Sequence, residues 1–123
     1  MAKLAHDDVI DGGLTYLSEN ATLIYVCTTG AITTYANVAT YNLTTGAALT
    51  SANLVIGAGD VSGRKIAVAA QSSLNISTSG TAGQIAIVSG SELLVLTDCT
   101  TQALTSGNTV TVPTWDYEIT DPT

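Results

Sequence analysis

His6, Asp7, Asp8 and Asp11 put one imidazole and three carboxylates within six residues. Oxygen and imidazole ligands so spaced suit a divalent cation. His6 is the sole histidine, so nothing elsewhere completes the set, and the plainer reading is a charged arm followed by a helix cap. The two cysteines, Cys27 and Cys99, lie too far apart for a metal-site signature. They are expected as reduced, buried small hydrophobes rather than as a disulfide. The stretch Gly57-Ala58-Gly59-Asp60-Val61-Ser62-Gly63-Arg64-Lys65 has the look of a phosphate-cradling loop. It lacks the Gly-Lys-[Ser/Thr] ending, the residues after it alternate like a strand, and a dinucleotide fingerprint fails for want of a βαβ setting. The loop therefore reads as exposed. Asp60 is expected to pair with Arg64 or Lys65, within the subunit or across a contact.

Nucleophiles abound in this chain and bases do not. Thr occurs 21 times, yet a Ser–His–Asp arrangement would need His6 to fold across the domain from its N-terminal arm. Asp116 and Glu118 lie two apart and so share one face of a strand. Paired carboxylates can hydrolyse glycosides, but a charged edge that discourages strand pairing is the stronger reading. No enzymatic role, cofactor or metal is expected. Asn20, Asn42 and Asn75 begin glycosylation sequons, taken as coincidental in a Thr-rich chain. The remaining patch is Pro113-Thr114-Trp115-Asp116-Tyr117-Glu118-Ile119, which holds the only Trp. Trp115, Tyr117 and Ile119 share one parity. Either they complete the core, or they anchor a neighbouring subunit, as Trp and Tyr do at interface hot spots. The second alternative makes Trp115, Tyr117 and Ile119, with Asp60, Arg64 and Lys65, the candidate subunit interface.

Composition narrows the function classes. Residues 20–59 and 66–91 contain no Asp, Glu, Lys, Arg or His, and charged residues make up 11% of the 123, against roughly 25% in an ordinary soluble domain. So little charge suits a surface that other subunits cover. Net charge is −7, with Lys3, Arg64 and Lys65 the only Lys or Arg. A protein gains affinity for a duplex by neutralising phosphates, so direct nucleic-acid binding is excluded. An anionic bilayer surface is disfavoured for the same reason. The longest strongly apolar runs, 23–27 and 93–96, fall far short of the ~20 residues of a membrane-spanning helix. The opening stretch is too short for a secretory h-region, so the chain is expected to fold in a cytoplasm.

The elements that would position these residues are mostly strands. One domain is expected over 1–123, with an arm at 1–6, a helix at 8–19, a β-sandwich at 22–119 and a tail at 120–123. Asp7 or Asp8 would cap the helix, and Ile10, Leu14 and Leu17 would form its buried face. Gly12-Gly13 implies a close backbone neighbour, and Asn20 a left-handed stop. Strand 22–28 is apolar on both faces and so central. A short helical turn fits 33–39. Further strands are expected at 53–56, 65–69, 74–77, 84–88, 92–98, 109–112 and 115–119, with a turn at 79–83 and a connection at 101–105. With no Phe, the core must come from Ala, Val, Leu, Ile and Tyr. The expected fold is mainly β, an antiparallel β-sandwich or jelly-roll-like barrel with one N-terminal helix.

In the segments Asp8-Val9-Ile10-Asp11-Gly12-Gly13-Leu14, Ile24-Tyr25-Val26-Cys27, Asp60-Val61-Ser62-Gly63-Arg64-Lys65 and Leu104-Thr105-Ser106-Gly107-Asn108-Thr109-Val110, the chain resembles small virion-associated structural proteins of tailed bacteriophages. The resemblance implies a β-rich, non-enzymatic capsid decoration (cement) protein. Such a protein would sit on the outer head surface, as a trimer, in contact with the major capsid protein and with copies of itself. A tail or head–tail joining component, or a carbohydrate-binding β-sandwich stacking sugars on Trp115 and Tyr residues, are the alternatives.

Overall fold

The computed structural model describes residues 6–30 and 32–120. Of the expected arm and tail, residues 1–5 and 121–123 lie outside that set. Helix α1 (Asp7–Asn20) comes first, with Ile10, Leu14 and Leu17 buried as expected. Three details differ from expectation. The cap is His6, whose Nδ1 accepts a hydrogen bond from the Asp8 N–H at 3.1 Å. Asp7 and Asp8 instead fall in the first turn, where the helix dipole favours them. Asn20 is not a left-handed stop: the chain leaves the helix through extended Ala21, and the Asn20 amide donates back to the Tyr16 carbonyl at 2.9 Å. No backbone crowds the glycine pair. A Cβ at Gly12 would meet nothing, and one at Gly13 only Ile119 Cδ1 at 3.7 Å.

The strands are β1 (Leu23–Thr28), β2 (Ala47–Ala48), β3 (Leu54–Ala58), β4 (Arg64–Val68), β5 (Gln71–Asn75), β6 (Gly80–Val88), β7 (Leu93–Leu104), β8 (Thr109–Val112) and β9 (Trp115–Ile119). A second helix, α2 (Tyr35–Tyr41), forms close to where a short helical turn was expected at 33–39, and a 3-10 turn spans Ser51–Asn53. Thr34 and Asn37 cap α2 reciprocally. All strand pairs are antiparallel, in sheets of order β2-β1-β6-β7, β3-β4-β9 and β5-β8. The protein is thus mainly β, sandwich-like, with one N-terminal helix.

Strand β1 explains the core. Ile24 and Val26 face a main cluster that includes Leu14, Leu17, Ile66, Val68, Ile85 and Ile87. Cys27 faces a second cluster with Ile32, Val38, Ala86 and Val88, against which Leu23, Tyr25 and Tyr41 pack. This two-sided burial is what its unbroken apolar run requires. On the edge of β1 away from β6, beyond its two-residue pairing with β2, buried Thr44 accepts the Val26 N–H through Oγ1 at 3.1 Å and the Val26 carbonyl accepts the Leu43 N–H, so neither group is orphaned.

Residues 79–83, expected as a turn, mostly open β6, and 101–105, expected as a connection, mostly close β7. The β6–β7 ladder runs from Val88↔Leu93 out to Gly80↔Leu104. Main-chain pairing holds its outer half, which is too polar and Gly-rich to announce itself by pattern. Gly83 lies at the shift between Ala82 and Gln84, where a Cβ would collide with Thr29 Oγ1. That glycine serves close approach, not a turn.

Candidate functional site

Two regions gather polar side chains. The first surrounds the loop between β3 and β4. Gly63 takes φ +69°, and a Cβ on it would strike the Ile119 carbonyl oxygen, so only glycine closes this turn against β9. The turn puts Lys65 on the outer face of β4, opposite Ile66. Its Nζ donates to Asp60 at 2.7 Å and to Asp116 at 3.1 Å. Glu118 closes the same face by accepting the N–H groups of Asp60 and Val61. On the inner face Arg64 donates Nε to Asp11 of α1 at 2.8 Å and an Nη to the other carboxylate oxygen at 3.3 Å. These bonds raise the pKa of Lys65, through Asp60 first and then Asp116, and of Arg64, through Asp11. The anticipated Asp60–Lys65 ion pair thus forms within the subunit, while Arg64 is drawn to the helix instead. His6 and Asp11, grouped by the sequence as possible ligands, separate: one caps α1 and the other binds Arg64. No metal-holding group of His, Cys, Asp and Glu occurs among the described residues.

The second region is a cleft of about 430 Å³, within the size range of ligand pockets. Its floor is Val26, Ala82 and Ile85. One wall is the middle of β7 from Thr97 to Gln102, and the other is β8 running on to Trp115 and Asp116. Trp115 and Ile119 pack against the main core, and Tyr117, beside them in sequence, is 39% exposed. Of the two alternatives, completion of the core holds for Trp115 and Ile119, while Tyr117 stays at the surface.

The Trp115 Nε1–H is buried and meets no acceptor among the described residues. A buried donor left unpaired costs about 1–3 kcal/mol. Asp98 stands exposed at the rim. Its carboxylate accepts a long hydrogen bond from Gln84 Nε2 at 3.4 Å, and no cation pairs with it among the described residues. Cys99, half-buried in the same wall, has its thiol pKa pushed up by burial and by the Asp98 carboxylate. Asp98, Cys99 and Gln102 had no place among the sequence-derived candidates because β7 was expected to stop at Asp98. The signal that could have found them is the polar run Thr97-Asp98-Cys99-Thr100-Thr101-Gln102 after an apolar strand.

Comparisons with family models, with curated proteins and with solved structures give no match to this chain. No helix is long and apolar enough to cross a membrane among the described residues.

Proposed function

We propose that this chain is a non-enzymatic structural subunit of a virion, a capsid decoration (cement) protein that stabilises a bacteriophage head through contacts with the major capsid protein and with its own copies. One observation carries the reading: Arg64 and Lys65 are both consumed by ion pairs inside the subunit. What remains outside is an exterior rich in Thr, Ser and Ala with a few carboxylates such as Asp8, Glu92 and Asp98, together with exposed Val9, Tyr16, Tyr35, Val55, Val61 and Tyr117. Neutral small side chains lose little solvation when another protein covers them, and scattered aromatic side chains supply anchors. The net charge of −7 opposes indiscriminate aggregation of the subunit before docking. The resemblance to virion-associated proteins in four segments of the chain supports the same class.

Rebinding to particles assembled without this chain tests the proposal. Saturation at a copy number comparable to that of the shell protein is the expected result. Saturation at about six or twelve copies per particle would move the chain to a tail or connector position, and absence of binding would reject a virion role.

A further inference from the structure

Strand β3 ends one side of its sheet, and its pairing with β4 stays in register along its whole length. The bonds just beyond its two ends fix its orientation. The Ala69 N–H donates to the Asn53 carbonyl at 2.8 Å, and the Gly59 N–H to the Gly63 carbonyl at 3.0 Å. Asn53 and Gly59 therefore occupy hydrogen-bonded positions of the ladder. Such positions alternate along an antiparallel pair. Val55 and Gly57 thus also bond to β4, while Leu54, Ile56 and Ala58 turn their main-chain groups outward. The Leu54 N–H is taken by the Ser51 carbonyl. The Leu54 carbonyl and the Ile56 and Ala58 groups meet no main-chain partner among the described residues. Ile56 is correspondingly only half-buried, although its neighbour Ile66 on β4 is fully buried.

Natural sheets blunt a free edge with charge, proline, a bulge or brevity. The other outer strands carry such devices among the described residues. Strand β9 bears Asp116 and Glu118, β7 bears Asp98 and a register shift, β5 shifts register between Gln71 and Leu74, β8 runs into Pro113, and β2 has 2 residues. Strand β3, Leu-Val-Ile-Gly-Ala, carries none. Instead Val55 is exposed on its outer face and Val61 in the loop that follows. We propose that β3 pairs antiparallel with β3 of a second copy, about a two-fold axis at Ile56, so that the two β3-β4-β9 sheets become one. The order of residues in the strand selects a second copy as the occupant. Around that axis Leu54 lies opposite Ala58 and Val55 opposite Gly57, so each larger side chain meets a smaller one and no like charges face each other. The outward groups match as well. Each Ile56 exchanges both bonds with Ile56 of the second copy. Each Ala58 N–H donates to the Leu54 carbonyl opposite, on the residue whose own N–H Ser51 already holds. Gly57 has room for the facing Val55, since a Cβ there would meet nothing within 4 Å. The contact is isologous, so it joins subunits in closed pairs. This inference deepens the assembly reading by naming one contact between copies, and rests on it for a setting in which copies meet.

Light scattering after size exclusion and residue-resolved amide exchange, both on the full chain, test it together. A concentration-dependent dimer is expected. As it forms, the Ile56 and Ala58 amides should exchange more slowly, whereas those of Val55 and Gly57, bonded to β4 in either state, should not respond. Val55 is exposed, so the folded subunit tolerates lysine there. Val55→Lys should weaken pairing about tenfold, because the axis repeats the change. Adding Gly57→Glu should restore pairing by setting opposite charges across the axis. Ala58→Pro deletes an outward donor and leaves the bonds to β4 in place, and it should weaken pairing further still. A chain that stays monomeric at about 1 mM, pairing indifferent to Val55→Lys, or a charge swap that fails to restore it would each overturn the inference. So would Ile56 and Ala58 amides protected at every concentration, which would give the edge to a segment of the same chain. Particle rebinding separates the two readings. A chain that pairs through β3 and binds no particle retains the inference and rejects the virion role. A chain that binds particles while its Ile56 and Ala58 amides never respond to concentration does the reverse.

Discussion

The loop between β3 and β4 and the cleft between β7 and β8 are both polar patches, yet they end in opposite states. Around the loop, each cation meets carboxylates on its own side of β4, Lys65 with Asp60 and Asp116, Arg64 with Asp11. Around the cleft, among the described residues, Trp115 Nε1 lacks an acceptor and Asp98 lacks a cation. A region whose polar groups are satisfied internally contributes to the fold. A region with an unpaired donor and an unpaired carboxylate is not closed by its own polar groups. Chemistry-bearing residues concentrate in the first region, whereas the unpaired groups lie in the second.

The largest difference between the two regions should be in stability. Ile66 is fully buried at the centre of β4, between Ile56 and Tyr117 on its neighbours. Ile66→Ala should cost about 2–5 kcal/mol through lost transfer energy and a residual cavity. Thr100→Ala, at the exposed rim of the cleft, should change stability by less than about 0.5 kcal/mol. Urea denaturation of both variants checks this, and equal losses would erase the distinction between a closed and an open region.

The two thiols sharpen the comparison by pH. Burial is the main cause of the rise in the Cys27 pKa from 9.0 to about 11. A folded-state thiol pKa above the unfolded one means the native state holds its proton longer. Stability should therefore be unaffected below about pH 9 and should fall as pH rises from 9 towards 11, by up to about 2–3 kcal/mol. Cys27→Ala should flatten that decline. Cys99, only half-buried in the cleft wall, should alkylate well before Cys27 at pH 8. Simultaneous labelling would show that the sheet around β1 opens as readily as the cleft.

Much of the fold was legible because its signals are local. Ile10, Leu14 and Leu17 mark the helix face, the run from Leu23 to Cys27 marks a central strand, and Ile66 with Val68 marks an inward face. The cap was misassigned because Asp is the commoner cap, while His6 serves through an imidazole nitrogen. The outer half of the β6–β7 hairpin was missed because its stability comes from ladder bonds to a distant strand, which leave no apolar alternation in Gly80–Gly83 or Thr101–Leu104. For the same reason the cleft was invisible. It exists because β8 pairs with β5 and not with its chain neighbour β7, a long-range choice that no spacing encodes. Trp115 was singled out as an aromatic; the unpaired nitrogen that makes it informative depends on where β9 lands.

A smaller effect is expected at that nitrogen. Trp115→Phe keeps an aromatic ring against the core and deletes the orphan N–H. In the isolated subunit the loss of ring area and the relief of an unpaired donor oppose each other, so stability should move by no more than about 1 kcal/mol. A subunit destabilised by several kcal/mol would mean that Nε1 is satisfied in solution and that the cleft is closed.

The smallest expected effect concerns the outer wall. Strand β5 holds β8 away from β7, and its pairing shifts register between Gln71 and Leu74, where Ser73 takes φ 59°. A left-handed conformation costs an L-residue roughly 1–2 kcal/mol, and glycine recovers it at an unfolded-state entropy cost of about 0.5–1 kcal/mol. Ser73→Gly should accordingly stabilise the subunit by no more than about 1 kcal/mol, visible as a slightly higher urea midpoint at unchanged slope. Ser73 is exposed and outside the cleft lining, so Trp115 emission and Cys99 alkylation should not change. If they do change, the bulge sets the spacing between β7 and β8, and the width of the cleft is then governed from the far side of β5 and not by the residues that line it.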